Sequence, residues 1–136
     1  MTLDSRPSTR VLIIGGGFAG LYCAKELRRT GVAGTIVDRR NHHLFQPMLY
    51  QVATAALAPN DIASPIRSIF RGQRNVEVIL GEAVRVDPAA RTVHLNDGQA
   101  LPYDQLVLAP GARHHYFGRD AEWEPLAPGL KSIEDA

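Results

Sequence analysis

The feature that most constrains the fold is a glycine-rich turn that joins an apolar run to a helical pattern. Residues 11–14 (VLII) are continuously apolar and mostly β-branched, which predicts a strand buried on both faces of a parallel sheet. Gly15, Gly17 and Gly20 follow with G-x-G-x-x-G spacing, and apolar residues then recur at helical intervals. This order of strand, turn and helix is typical of a dinucleotide-binding βαβ unit, in which phosphates bind free N–H groups at the start of the helix.

The three glycines of this turn have different predicted tasks. Gly15 permits the tight turn, Gly17 lets the backbone approach a pyrophosphate, and Gly20 lets the helix pack closely on the strand. The plainer alternative is a glycine-rich turn that binds nothing. We favour the phosphate-binding interpretation because the strand, the glycines, the helix and a following acid all agree with it.

An acidic residue at the end of the next predicted strand completes the pattern. Residues 34–38 form that strand, and Asp38 follows Gly20 by 18 positions. An acid there accepts hydrogen bonds from an unphosphorylated adenosine ribose, although Asp38 could also simply cap the loop that follows. Arg39 and Arg40 come next and could either neutralise phosphates or form a solvated loop. Since FAD and NAD both contain ADP, this pattern does not distinguish them.

The rest of the chain predicts an α/β fold whose parallel sheet is interrupted by an antiparallel insertion. The elements predicted before the insertion are a strand at 10–14, a helix at 18–29, a strand at 34–38, helices beginning near Pro47 and at Ser64, and a strand at 76–80. Short strands at 83–87, 91–95 and 99–103, separated by turn residues, then predict a three-stranded meander. Residues 104–109 predict a strand that returns to the parallel sheet, and Ser132 predicts the N-cap of a final helical turn.

Two details of the predicted helices can be checked directly against a structure. Ser64 is the predicted N-cap of the helix that contains Ile66 and Phe70. Apolar residues before it are spaced for one buried helical face and comprise Phe45, Met48, Leu49 and Val52.

Composition narrows the classes of function. The chain has 136 residues, 45% of them hydrophobic, and a formal net charge of +1, which gives no electrostatic case for nucleic acid. Its single cysteine, Cys23, excludes a disulfide framework, and its histidines lack the spacing of metal ligands. Residues 1–9 are predicted to be a disordered leader. No apolar run predicts a signal peptide or a membrane span, so the cytoplasm is the expected compartment.

Three further stretches resemble one flavoprotein family. Residues 103–111 (YDQLVLAPG) are similar to the YDxLVLATG segment of two-dinucleotide-binding flavoproteins. Residues 41–53 (NHHLFQPMLYQVA) closely resemble the NHHLFQPLLYQVA stretch of bacterial type II NADH:quinone oxidoreductases, and residues 123–136 resemble the same family. The match at 41–53 is specific, whereas the glycine fingerprint is shared by many proteins.

This resemblance implies a Rossmann-like FAD/NAD(P)-binding fold and a non-covalent FAD site, with no catalytic residue and no metal ligand assigned in this chain. The implied site has Asp38 at the adenosine ribose, Arg39 and Arg40 along the AMP half, and Ala83 presenting backbone to adenine. The pyrophosphate would be held by Gly15, Gly16, Gly17, Phe18, Ala19 and Gly20, and the strand end would line the cofactor with Ala109 and Gly111. Pro110 departs from the family pattern, because it replaces the usual threonine and so removes a hydroxyl and a backbone N–H.

The resemblance also implies an activity. Family members pass hydride from NADH to flavin and electrons to a membrane quinone without pumping protons, and the full-length enzymes are peripheral on the cytoplasmic face of the inner membrane and can form homodimers. They continue into an NADH domain and membrane-anchoring helices, so we expect residues 10–136 to be the N-terminal portion of the FAD-binding domain, inactive alone. The competing interpretations are an NAD-dependent dehydrogenase domain and a catalytically silent nucleotide-binding module.

Overall fold

The computed structural model describes residues 9–136, so the predicted leader lies outside it except for Thr9. The strands are β1 (Arg10–Ile14), β2 (Ala33–Asp38), β3 (His42–Leu44), β4 (Ala63–Pro65), β5 (Val76–Leu80), β6 (Ala83–Asp87), β7 (Thr92–Leu95), β8 (Ala100–Pro102) and β9 (Gln105–Leu108). The α-helices are α1 (Phe18–Glu26), α2 (Leu49–Ala53), α3 (Pro59–Ile62), α4 (Ile66–Ile69) and α5 (Asp120–Trp123). Short 3₁₀ helices cover Leu27–Arg29, Gln46–Met48 and Ile133–Asp135.

The chain forms two compact units. The first contains the described residues up to His43 together with Pro65–Pro110, and the second contains Leu44–Ser64 and Gly111–Ala136. The short strands β3 and β4, which pair with each other, contain two of the points where the chain passes from one unit to the other.

A four-stranded parallel sheet in the order β5-β2-β1-β9 forms the centre of the first unit. Leu12 in β1 lies beside Thr35 of β2 on one side and Leu106 of β9 on the other. Leu12 and Ile13, which point to opposite faces, are 2% and 0% exposed. The apolar run in β1 is therefore explained by burial on both faces, and the four predicted parallel strands are confirmed with small shifts at their ends.

Each face of this sheet is covered by a different layer. On one face, Ile13 and Ile36 pack with residues of α1 and with Ile66 and Phe70. On the other face, a second buried cluster combines residues of the sheet and the meander and comprises Leu12, Val37, Val93, Leu95 and Tyr103. The first unit thus has three layers, with helices, a parallel sheet and an antiparallel sheet stacked in that order.

The antiparallel layer is the predicted meander, formed by β6, β7 and β8. Its second turn contains Gly98 with a φ of +89°, a conformation that favours glycine. The Asp97 carboxylate stabilises the same turn by accepting a hydrogen bond from the backbone N–H of Gln99 at 2.9 Å. The turn chemistry that predicted this meander is therefore the chemistry that holds it.

The second unit is built from short helices. Of the four apolar residues predicted to form one buried face, Leu49 is 1% exposed whereas Phe45 is 44% exposed, so the predicted face is only partly buried. At its end, Ser132 precedes a 3₁₀ helix as predicted, and its N–H donates to the Asp135 carboxylate at 2.8 Å. The pKa of Asp135 is lowered first by the hydrogen bond from the backbone N–H of Lys131, and then by those from the side chain and the N–H of Ser132.

The predicted N-cap at Ser64 is wrong. Helix α4 begins at Ile66, and its N-cap residue is Pro65, because Ser64 and Pro65 belong to strand β4. The backbone N–H of Ile66 donates to the carbonyl of Asn41 at 3.0 Å. A main-chain acceptor distant in sequence thus takes the place of the serine hydroxyl.

Candidate functional site

The carboxyl ends of the parallel strands bring most of the predicted site residues to one edge of the sheet. Three backbone hydrogen bonds fix this edge, from Gly15 N–H to the Val37 carbonyl (2.8 Å), from Ala109 N–H to the Ile14 carbonyl (2.8 Å) and from Gly81 N–H to the Asp38 carbonyl (2.9 Å). The turn after β1, the end of β2, the residues before β6 and the end of β9 therefore lie together. In open parallel sheets this is the edge where ligands bind.

Two glycines of the turn are required by the protein itself. Gly15 has a φ of +106°, and a Cβ atom there would overlap the carbonyl oxygen of Ala109. A Cβ atom on Gly20 would overlap the carbonyl oxygen of Gly15. The missing side chain of Gly20 lets α1 pack this closely against the end of β1, and the missing side chain of Gly15 lets the turn approach the end of β9.

Gly17 differs from these two glycines. Its φ of −72° and ψ of −166° are open to any residue, and a Cβ atom built on it would meet no atom within 4 Å. Gly17 is the N-cap residue of α1, yet none of the described side chains caps the helix there and its first turn contains no acidic residue. No contact with the described residues requires a glycine at this position, and the carboxylate bound nearby, that of Asp38, lies on the N–H of Gly16.

Gly16 is buried, and side chains hold its backbone on both sides. Its N–H donates to Asp38 Oδ2 at 2.6 Å, and its carbonyl oxygen lies 3.0 Å from His43 Nδ1. A Cβ atom on Gly16 would lie 2.5 Å from Cδ1 of Ile66 and 3.3 Å from Asp38 Oδ2, so a larger residue here would require the Ile66 side chain to shift.

The Asp38 carboxylate has the capping role that was one of the two considered for it. Oδ2 accepts the Gly16 N–H, and Oδ1 accepts the N–H of Arg40 at 2.7 Å, so the carboxylate caps the loop after β2. Each carboxylate oxygen can accept a further hydrogen bond. The half-buried Asp38 can therefore still accept hydrogen bonds from a ribose while it holds the turn.

The other predicted site residues of the first unit lie near this edge but differ in exposure. Phe18 and Ala19 are exposed at the start of α1, and Arg39 is exposed after β2. Half-buried positions are Arg40, Ala83 at the start of β6, and Ala109 after β9. Gly111 belongs to the second unit, where its φ of +76° explains the choice of glycine.

The contact of His43 with the turn was missed by the sequence-based reasoning, which set aside a metal-binding role and interpreted His43 as a loop residue near the cofactor, whereas it lies in strand β3. Its ring contacts the turn through Nδ1, and it also packs edge-on against Phe18 with 4.9 Å between ring centroids. The alternation of side chains along a strand was the one available signal, because it places His42 and His43 on opposite faces.

Other classes of site receive little support from residues 9–136. These residues contain no group of three or more His, Cys, Asp or Glu side chains that could hold a metal ion. None of their helices is long and apolar enough to cross a lipid bilayer. A groove of about 420 Å³ lies at the other end of α1, and its lining comprises Lys25, Glu26, Arg28, Arg29, Ile69, Gly72 and Gln73.

Comparison with known proteins gives a family match over the whole described range. The model of the family described as pyridine nucleotide-disulphide oxidoreductase matches residues 9–136. The type II NADH:quinone oxidoreductase Ndh of Mycobacterium tuberculosis is 48% identical in an alignment 130 residues long that covers 93% of this chain and 28% of that protein. The type II enzyme NdhA of the same organism is 48% identical in an alignment that is 145 residues long, gaps included, and covers 100% of this chain and 31% of that protein.

A solved structure agrees with this match. The sulfide:quinone oxidoreductase of Aquifex aeolicus superposes with a TM-score of 0.83 at 27% identity, covering 94% of this chain and 30% of that one. The predicted Rossmann-like FAD/NAD(P)-binding fold class is thereby confirmed. The chain spans about 30% of the length of each of these relatives.

Proposed function

The chain belongs to the pyridine nucleotide-disulphide oxidoreductase family, and we propose that its glycine-rich turn binds the pyrophosphate of FAD. The observation that carries this proposal is the environment of Gly17. Gly15, Gly16 and Gly20 are explained by close contacts with protein atoms, whereas a side chain on Gly17 would meet none of the described atoms. A glycine that the fold does not need, placed at an uncapped helix start, is what an approaching phosphate requires.

The proposed ligand contacts follow from this position. Residues 15–20 hold the pyrophosphate, the Asp38 carboxylate accepts hydrogen bonds from the adenosine ribose, and Arg39 and Arg40 lie along the AMP half. Ala83 presents backbone to the adenine, and Ala109 and Gly111 line the cofactor. Pro110 has no N–H, so it contributes no hydrogen bond from its backbone nitrogen to the flavin. The bound flavin would accept hydride from a nicotinamide and release electrons singly or in pairs.

We further propose that residues 10–136 contribute to one FAD-binding domain of an enzyme that oxidises NADH and reduces a quinone. The names of the two mycobacterial relatives and the resemblance at residues 41–53 support this activity. NADH, a membrane quinone and a second copy of the enzyme are its proposed partners, and the cytoplasmic face of the membrane is its proposed location. The activity, partners and location are supported by the relatives, because this chain spans about 30% of their length.

Titration of the purified chain with FAD, ADP and NAD⁺ tests the proposed ligand. Quenching of flavin fluorescence reports FAD binding, and calorimetry reports all three ligands. We expect FAD to bind more tightly than ADP, because it adds a flavin half, and NAD⁺ to bind no more tightly than ADP. If NAD⁺ binds more tightly than FAD, the result would favour a dehydrogenase domain. If none of the three ligands binds, the result would contradict the proposed function and favour a module that does not bind nucleotides.

A further inference from the structure

We propose that His43 is a positioning residue for the glycine-rich turn, holding Gly16 and Phe18 in place on both sides of Gly17 through its ring. This inference rests on the proposed function, because it concerns the same turn that is proposed to bind FAD. It assigns to His43 no contact with the cofactor.

Two contacts carry the proposal. His43 Nδ1 lies 3.0 Å from the carbonyl oxygen of Gly16, within hydrogen-bond distance. The His43 ring also meets the Phe18 ring at 88° with 4.9 Å between centroids, the edge-on arrangement that aromatic pairs prefer. Since Gly16 and Phe18 flank Gly17, one side chain fixes the backbone on both sides of the residue proposed to face the pyrophosphate.

The hydrogen bond to the Gly16 carbonyl determines which nitrogen of the His43 ring carries a proton. A carbonyl oxygen only accepts hydrogen bonds, so Nδ1 must carry the proton. Neutral His43 is therefore the Nδ1–H tautomer, with Nε2 as the acceptor. Protonation of the ring adds a hydrogen at Nε2 and leaves the Nδ1–H donor in place.

His43 acts together with Asp38. Asp38 Oδ2 accepts the Gly16 N–H at 2.6 Å while His43 donates to the Gly16 carbonyl, so both backbone groups of this buried glycine have side-chain partners. Both side chains come from β2 or the loop and strand directly after it. Protein contacts therefore order the turn before a ligand binds. The free energy of binding is then not reduced by the cost of ordering the turn.

His42 provides a matched control next to His43. Its Nδ1 lies 3.4 Å from the side-chain oxygen of the neighbouring Asn41, a local contact that does not involve the turn. The same substitution at 42 and 43 therefore changes the same residue type in the same strand, and only position 43 affects the turn.

The test compares His43→Phe, His43→Asn and His42→Phe in the purified chain. Phenylalanine keeps a ring against Phe18 but removes the donor, whereas asparagine carries an amide nitrogen at the branch position of Nδ1. We expect His43→Phe to weaken FAD binding about 2- to 10-fold, the effect of one hydrogen bond. His43→Asn should restore affinity to within about twofold of the original, and His42→Phe should leave it unchanged.

Two measurements without FAD separate this proposal from the proposed function. Amide hydrogen exchange at Gly16 and Leu21, whose N–H groups donate to the Asp38 carboxylate and to the Gly17 carbonyl, should become at least severalfold faster in His43→Phe and stay near the original rate in His43→Asn. Nitrogen NMR of the imidazole should show Nδ1 protonated in the neutral ring. Unchanged exchange in His43→Phe, or an Nε2–H tautomer, would overturn the positioning role even if FAD binds. A chain that fails to bind FAD but shows both effects would overturn the proposed ligand and retain the positioning role.

Discussion

The two ends of α1 differ in the hydrogen bonds that they receive from side chains of the first unit. At its end, the Gln73 side chain donates to the Ala24 carbonyl at 2.7 Å, and Asn75 donates to the carbonyl of Leu27, in the adjoining 3₁₀ turn, at 2.7 Å. At its start, no side chain within residues 9–136 caps the helix at Gly17. Side chains complete one end of the helix, whereas its other end is left open.

We expect the end of α1 to contribute to stability and its start to contribute to ligand binding. The carbonyl groups at the end of α1 would be costly to bury without donors, so Gln73 and Asn75 contribute to folding. Arg10, at the start of β1, also contributes to folding, because its backbone N–H and its guanidinium both donate hydrogen bonds to the Asp104 carboxylate. The start of the helix at Gly17, where none of the described side chains forms a cap, offers a site for an anion instead. Substitutions at the two ends should therefore affect different measurements.

Gly20→Ala should have the largest effect on stability. The new methyl group would overlap the Gly15 carbonyl oxygen and force α1 away from β1. We expect the free energy of unfolding to fall by about 3 kcal/mol, measured by urea denaturation. Gly72→Ala is the control, since a Cβ there meets no atom within 4 Å, and an equal loss in both variants would contradict the close-packing explanation.

Asp38→Ala should weaken binding and, because the Gly16 and Arg40 N–H groups lose their acceptor, should also lower stability. Loss of a hydrogen bond to a charged acceptor should weaken FAD affinity by about 1.5 to 3 kcal/mol, or roughly 10- to 150-fold in Kd. Asp97→Ala is the matched control, because Asp97 also accepts the backbone N–H two residues ahead. Wild-type flavin affinity in Asp38→Ala, measured by fluorescence titration, would show that the ribose assignment is wrong.

Gln73→Leu should act on stability alone. It leaves the Ala24 carbonyl without its amide donor in a position where Gln73 is only 8% exposed. The expected loss is about 1 to 3 kcal/mol in the free energy of unfolding, with unchanged affinity for FAD. Gln105→Leu, at an exposed position of β9, serves as the control. A change in FAD affinity without a change in stability would mean that this end of the helix also takes part in binding.

Asp104→Asn should change the pH dependence of stability by a small amount. Hydrogen bonds from the Arg10 side chain, and then from its backbone N–H, lower the pKa of Asp104 in the folded chain. The stability from this pair is therefore present above the unfolded pKa of about 3.9 and is lost as pH falls through the lower folded value. Thermal unfolding between pH 5 and about pH 2 should show a shallower decline in Asp104→Asn than in Glu77→Gln, and equal slopes would contradict this.

The elements of the first unit were predictable because their signals are local. The apolar run before Gly15, the acid after residues 34–37 and the turn residues around Gly98 each specify a strand or a turn within a few residues. The order of the parallel strands then follows from the few topologies that such an element order allows. For the same reason, the placement of Asp38 near the turn was predictable, but its hydrogen bond to Gly16 was not.

The contacts that were not predicted depend on residues far apart in the chain. His43 reaches Gly16 across 27 positions, and Asn41 rather than Ser64 provides the acceptor for the first N–H of α4. A local sequence pattern does not show which distant residues a loop will contact. For this reason the predicted serine cap was wrong and the histidine contact was overlooked. The partly exposed apolar face at residues 45–52 has the same origin, because periodicity indicates a face but not how completely a small unit covers it.

The most direct test of the open helix start compares Gly17→Val with Gly31→Val, two glycines at which a Cβ atom would meet no protein atom within 4 Å. FAD affinity by fluorescence titration and the free energy of unfolding by urea are measured on the same purified samples. We predict that Gly17→Val weakens FAD binding at least about 100-fold while stability changes by about 1 kcal/mol or less, and that Gly31→Val leaves the affinity unchanged. Gly17→Val with unchanged FAD affinity would contradict the central claim that the start of α1 is kept open for the pyrophosphate.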